Sequence, residues 1–174
     1  DLARRQRQMC IRDRIKNNLN NFIDVTQFKK SRHFDDPKYS WLKGGWYSIK
    51  DEEIFDGDIY VSYTKEVKEN CWNTSLLSAK MNYVYIHFTT LFTSEECVNE
   101  YDNIDDEYNA HQSGGRIINL NNEIVLFSIG DFRSRYRAQS ESSIFGKVLK
   151  INKKNNDYEV ISMGHRNPQG LYYN

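Results

Sequence analysis

The chain has 174 residues, 24 basic and 24 acidic side chains, and a formal net charge of zero. That balance gives no reason to expect nucleic acid or an anionic membrane as partner. Its 39% hydrophobic and 14% aromatic content is enough to bury a core, and the length suits one domain or part of a larger one.

Residues 1–14 carry the run RRQRQMCIRDR, which differs in texture from everything after it. It resembles translated adapter sequence and is set aside as a non-native N-terminal scar, the alternative being a basic helix. No apolar signal core follows it. Residues 15–45 are rich in Asn, Lys and Asp and read as an irregular lead-in with one short helix at 16–24. From residue 46 the texture becomes strand-like. DGDIYVSYTKEV (56–67) alternates after an Asp-Gly turn. NTSLLSAKM (73–81) and YVYIHFTTLF (83–92) are rich in β-branched and aromatic residues and predict two further strands. The second of these is the longest apolar stretch, and it is far shorter than the ~20 residues a membrane span needs. TSEECVNEYDNIDDEYNA (93–110) is acidic and turn-rich, with a helical turn expected at 94–100 behind Ser94. Strands resume at GRIINL (115–120) and EIVLFSIG (123–130), across an Asn121-Asn122 turn. FRSRYRAQSESS (132–143) reads as a polar loop whose arginines face water. GKVLKIN (146–152), YEVISMG (158–164) and GLYY (170–173) complete the pattern. Short strands with turn signals about every ten residues indicate an all-β sandwich, barrel or propeller.

Three polar stretches interrupt these strands: NAHQSGGR (109–116), Gly130-Asp131 and GHRNPQG (164–170). Each lies at a strand end, and such ends converge on one rim of an antiparallel meander. His111, among small and polar neighbours, is either a base for a hydroxyl proton or the cap of a turn. Asp131 either orients an imidazole or closes an Asx turn. Arg166 offers a planar fork of donors, and Asn167 offers a donor and an acceptor. Pro168 biases Asn167 toward extended geometry. The same residues also make a well-built β-turn. His165 and His87 lack a spaced partner for a metal site, and His87 reads as half-buried packing on its strand. Asn73-Thr74-Ser75 matches a glycosylation acceptor. With Cys10 set aside, Cys71 and Cys97 remain, either paired or as two free thiols.

The blocks AHQSGGRI, FSIGD, AQ, FGKVLKIN and ISMGHRNPQGLYY, in that order, resemble the soluble quinoprotein glucose dehydrogenases and, more broadly, the glucose/sorbosone dehydrogenase family. The likeness is strong over 109–174 and weak at DGDIYVSYT. It implies a six-bladed β-propeller, of which residues 46–174 cover roughly the first half. It implies pyrroloquinoline quinone (PQQ) held with Ca²⁺, and oxidation of a sugar at its anomeric hydroxyl with electrons passed to an external acceptor. By position, His111 resembles the base, Asp131 the carboxylate that orients it, Arg166 the arginine beside quinone and substrate, and Asn167 its cofactor-binding neighbour. No residue of this chain is expected to ligate the calcium, whose ligands are expected beyond residue 174. Ala110 departs from the acidic residue of the glucose enzymes, which puts glucose itself in doubt. The expected location is periplasmic or secreted, and the chain alone is expected to be inactive. A non-catalytic extracellular propeller that only binds is the alternative.

Overall fold

In a computed structural model that describes residues 15–24, 26, 47–102, 104 and 107–173, the chain is built mainly of antiparallel strands. Residues 1–14, expected to be a non-native scar, and most of the expected lead-in lie outside the described residues. Where a helix was expected at 16–24, a short strand β1 (Lys16–Asn17) and a single 3-10 turn (Leu19–Asn21) appear instead. The reason is Asn18. Its Nδ2 donates to Phe88 O at 3.0 Å and its Oδ1 accepts the Phe88 N–H at 2.7 Å, which pins the segment alongside residues 85–88.

β2 (Ile49–Phe55) and β3 (Asp58–Lys68) form the hairpin that the Asp-Gly pair predicts. Asp56 and Gly57 take φ of 48° and 78°, the paired left-handed conformations that match the twist of the flanking strands. β4 (Cys71–Lys80) pairs with β3 along its length. The predicted strand at 83–92 is split into β5 (Tyr85–Ile86), parallel to β1, and β6 (Thr89–Phe92), antiparallel to β4. The chain changes partner at His87, which is exposed rather than half-buried. No helix forms at 94–100. Ser94 Oγ accepts from the Glu96 N–H at 3.0 Å, and β7 (Val98–Asn99) pairs with the start of β4. A disulfide between Cys71 and Cys97 closes this corner. The Asn73 of the glycosylation pattern is buried and donates to Ser94 O at 2.7 Å, so it offers no acceptor site.

The second sheet is a meander in chain order: β8 (Gly114–Asn119), β9 (Ile124–Ile129), β10 (Lys147–Asn152) and β11 (Tyr158–Met163). The polar loop at 132–143 contains one turn of helix, α1 (Arg135–Gln139). Arg133 and Arg135 pair with Glu107, and Arg137 pairs with Glu96, so these arginines are engaged in ion pairs. Residues 170–173 form no strand among the described residues, and Tyr172 and Tyr173 are exposed.

Strand alternation produces two cores. Tyr60, Trp72 and Leu76 point toward the second sheet and pack with Val125, Phe127 and Leu149. Val61, Tyr63 and Leu77 point to the opposite side and pack with Ile23, Ile86 and Phe88. The first sheet is thus covered on both faces, whereas β11 is exposed throughout. The inner strands of the two sheets, β2 and β8, run next to each other. Asp51 of β2 takes the Ile117 N–H at 2.9 Å and the Arg116 guanidinium at 2.9 Å.

Replacing Cys71 and Cys97 together by serine releases a loop with a sequence separation of 26. The chain-entropy model predicts a loss of about 3 kcal/mol. Chemical denaturation of the oxidised protein and the double variant checks this, and equal midpoints would remove the disulfide from the stability of this corner.

Candidate active site at the joined turns

Asn109 starts the first polar turn, and its side chain accepts the His111 N–H at 2.8 Å. The cap winds Ala110–Gln112 into a 3-10 turn that presents His111 half-buried beside buried Ala110. Gly130 then brings the second turn against the first. Its N–H reaches Ser113 O at 2.9 Å, and the Phe132 N–H reaches Gln112 O at 3.0 Å. A Cβ on residue 130 would fall 2.0 Å from Gln112 O, so no other residue type fits there.

The third turn joins through the backbone of Asp131, whose N–H donates to Arg166 O at 3.0 Å. The Arg166 guanidinium donates to Gln112 Oε1 at 3.1 Å, and Asn167 Oδ1 accepts the Gly114 N–H at 3.3 Å. Ser128 Oγ donates to Pro168 O at 2.9 Å and so holds the proline turn from β9. The three polar turns singled out in the sequence therefore meet at one end of the second sheet. His165 is set apart from them by a 2.7 Å hydrogen bond to Ser162.

Asp131 is buried, and its Oδ1 accepts the Arg133 N–H at 2.8 Å. The structure thus builds the Asx turn, across which Phe132 and Arg133 take φ of 51° and 69°. Burial raises the Asp131 pKa, against the opposing pull of the Arg133 N–H and of the Arg166, Arg135 and Arg133 charges. His111 shifts the other way: burial lowers its pKa and the Lys50 charge lowers it further. A neutral imidazole is therefore favoured at His111 at neutral pH.

Lys50 and Gln112 are the residues that sequence reasoning missed. Lys50 sits in IKDEEIF, a stretch that reads as a solvated hairpin arm. Packing of β8 against β2 buries it and lowers its pKa to about 8. Its Nζ lies 3.4 Å from Ala110 O, next to the backbone of His111. Lys50 also lines a cleft of about 260 Å³ with Gly114, Arg116 and Gln169.

The model of the glucose/sorbosone dehydrogenase family matches residues 39–174. The chain belongs to that family. Its all-β fold is the family's β-propeller fold, and the five-stranded and four-stranded sheets are two blades of it. No curated protein matches the chain. Among solved structures it is similar to a glucose dehydrogenase, with 15% identity and a TM-score of 0.55, and the match covers 71% of this chain and 39% of that one. It is equally similar to the soluble aldose sugar dehydrogenase of Escherichia coli in its apo-form, with 17% identity, a TM-score of 0.55 and the same coverage. The chain thus spans about two fifths of the length of these neighbours. No helix of the described residues is long and apolar enough to cross a membrane.

Removing the Lys50 charge tests the electrostatics directly. Lys50→Gln is expected to move the His111 titration upward, because a cation that opposes imidazolium formation is lost. Imidazole NMR against pH reads this without substrate or cofactor, and an unmoved titration would separate the two residues.

Proposed function

We propose that the protein carrying this chain oxidises a sugar at its anomeric hydroxyl, with PQQ as the group that accepts the hydride. The observation that carries this reading is the lacing of the His111, Asp131 and Arg166 turns into one unit at a blade end, in a chain of a sugar dehydrogenase family.

His111 takes the proton of the sugar hydroxyl. Its lowered pKa keeps it unprotonated and ready at neutral pH. Asp131, the carboxylate expected to orient the imidazole, is buried and accepts the Arg133 N–H, so its part in this reading is to hold the turn that packs against the His111 turn. Arg166 is exposed and turned onto Gln112, and its remaining donors would hold oxygens of substrate and cofactor. Asn167, held by its Oδ1 on the Gly114 N–H, would be the cofactor-binding neighbour. When bound, the quinone supplies the redox chemistry. PQQ is an anionic molecule, and Lys50, Arg116 and Arg166 are suitable donors for it. Among the described residues no group of three or more His, Cys, Asp or Glu side chains is placed to hold a metal ion, so no step is assigned to calcium. The electrons leave to an external acceptor. The Cys71–Cys97 disulfide supports a periplasmic or secreted location. The reading also expects this chain by itself to be inactive.

A second reading, an extracellular propeller that binds without catalysis, is favoured by one feature: the Asp131 carboxylate serves its own turn. Titration with PQQ separates the two, because a pure binding module gives no quinone spectral shift. For the enzyme, His111→Ala is expected to lower kcat by roughly 10²–10⁴ while quinone binding persists. Dye reduction with aldoses by the full-length protein measures this, and undiminished turnover in the variant would end the assignment of the base.

A further inference from the structure

Lys50 and Arg116 leave neighbouring inner strands and line one cleft of about 260 Å³, completed by Gly114 and Gln169. Among the described residues that line it none is acidic, although the Asp51 carboxylate pairs with Arg116. Both cations are held in place. The Arg116 guanidinium donates to Asp51 Oδ1 and to Gln169 O, each at 2.9 Å. The Lys50 stem lies over Gly115, where an added Cβ would meet Lys50 Cβ at 2.5 Å, so the glycine makes its room. The Lys50 ammonium is 3.4 Å from Ala110 O, which places the cleft beside His111. Asn167 closes the other side by accepting the N–H of Gly114.

We propose that the cleft between Lys50 and Arg116 binds a carboxylate group, and that it thereby directs acidic sugars to His111. The second clause rests on the dehydrogenase reading, whereas the first does not. An ammonium and the Nη2 donor that the Arg116 guanidinium has left beside its bonds to Gln169 and Asp51 are complementary to a carboxylate. The cleft is smaller than the 300–1,000 Å³ typical of whole-ligand pockets, roughly speaking. It therefore suits the acidic end of a ligand whose reacting carbon lies toward His111. Burial brings Lys50 to about 8, so binding weakens as pH rises through that value and the ammonium discharges. A carboxylate of the quinone presents the same chemistry, and the experiment separates the two sources.

Calorimetric titration of the full-length protein uses three ligands: glucuronate, glucose, and PQQ alone. Each is measured against wild type, Lys50→Gln and Lys50→Arg. Glucuronate is expected to bind about tenfold tighter than glucose, a margin that Lys50→Gln removes and Lys50→Arg keeps. A loss confined to PQQ keeps the carboxylate site and overturns its assignment to sugars. Equal affinities of wild type and Lys50→Gln for all three ligands overturn the site. If Lys50→Gln does not melt cooperatively, Arg116→Lys takes its place, because it removes the fork and keeps the charge. Turnover of aldoses in which glucuronate has no advantage over glucose and Lys50→Gln changes neither leaves the dehydrogenase reading standing and overturns this one. Carboxylate binding without any turnover does the reverse.

Discussion

The contact of Gly130 with Gln112 sets the geometry of everything around it. Residue 130 sits so close that even one methyl group would overlap the Gln112 carbonyl. Only that approach lets the Gly130 and Phe132 amides reach across to the turn bearing His111. Asp131 is then left with its amide facing Arg166 O and its carboxylate facing Arg133 N–H. Gly114 repeats the constraint from the other side. Its φ is +64°, and a Cβ there would lie 2.7 Å from Gly130 N. Such packing leaves few alternative arrangements, so the candidate side chains hang on a backbone with little freedom to drift.

The loop after Asp131 is fixed by buried charge. Lys147 is fully buried and donates to the carbonyls of Arg137, Ala138 and Phe145 at 2.8–3.0 Å. Two of these belong to α1, where Arg137 O also takes the Ser140 N–H at 3.1 Å and Ala138 O the Gly164 N–H at 2.9 Å. Glu96 reaches over from the first sheet to Arg137, Ser143 Oγ and the Ile144 amide. Glu96 lies one residue from the disulfide at Cys97. The corner that appears purely structural is therefore continuous with the loop that positions Asp131.

Local rules made the hairpins legible. Asp56-Gly57 demanded its turn, and alternation in 56–67 sends Tyr60 to one core and Val61 and Tyr63 to the other. The three polar turns were legible as candidate site residues for the same reason, since each combined glycine with chemistry-bearing side chains at a strand end. What failed was non-local. Residues 83–92 have the composition of one strand, but two different sheets compete for them, and the Asn18–Phe88 pin decides where the break falls. Residues 94–100 have a helix start signal that yields to pairing with β4 and to Cys71. GLYY has strand composition but no partner among the described residues. Lys50 was illegible because neighbours in sequence describe it as solvated, whereas its burial comes from a strand that begins 64 positions later, at Gly114.

That last case explains why the seam between the two sheets belongs to the site. Asp51 binds both the Ile117 amide and the Arg116 guanidinium, and Ser62 Oγ donates to Gly115 O at 2.5 Å. These bonds set the distance between β2 and β8, and hence how far Lys50 stands from His111 and from Arg116. An ammonium in a partly dry seam acts on the imidazole more strongly than one in water, because little solvent screens it. The proton affinity of His111 is therefore a property of the joint between blades. A blade folded alone would carry the same histidine without the cation that tunes it.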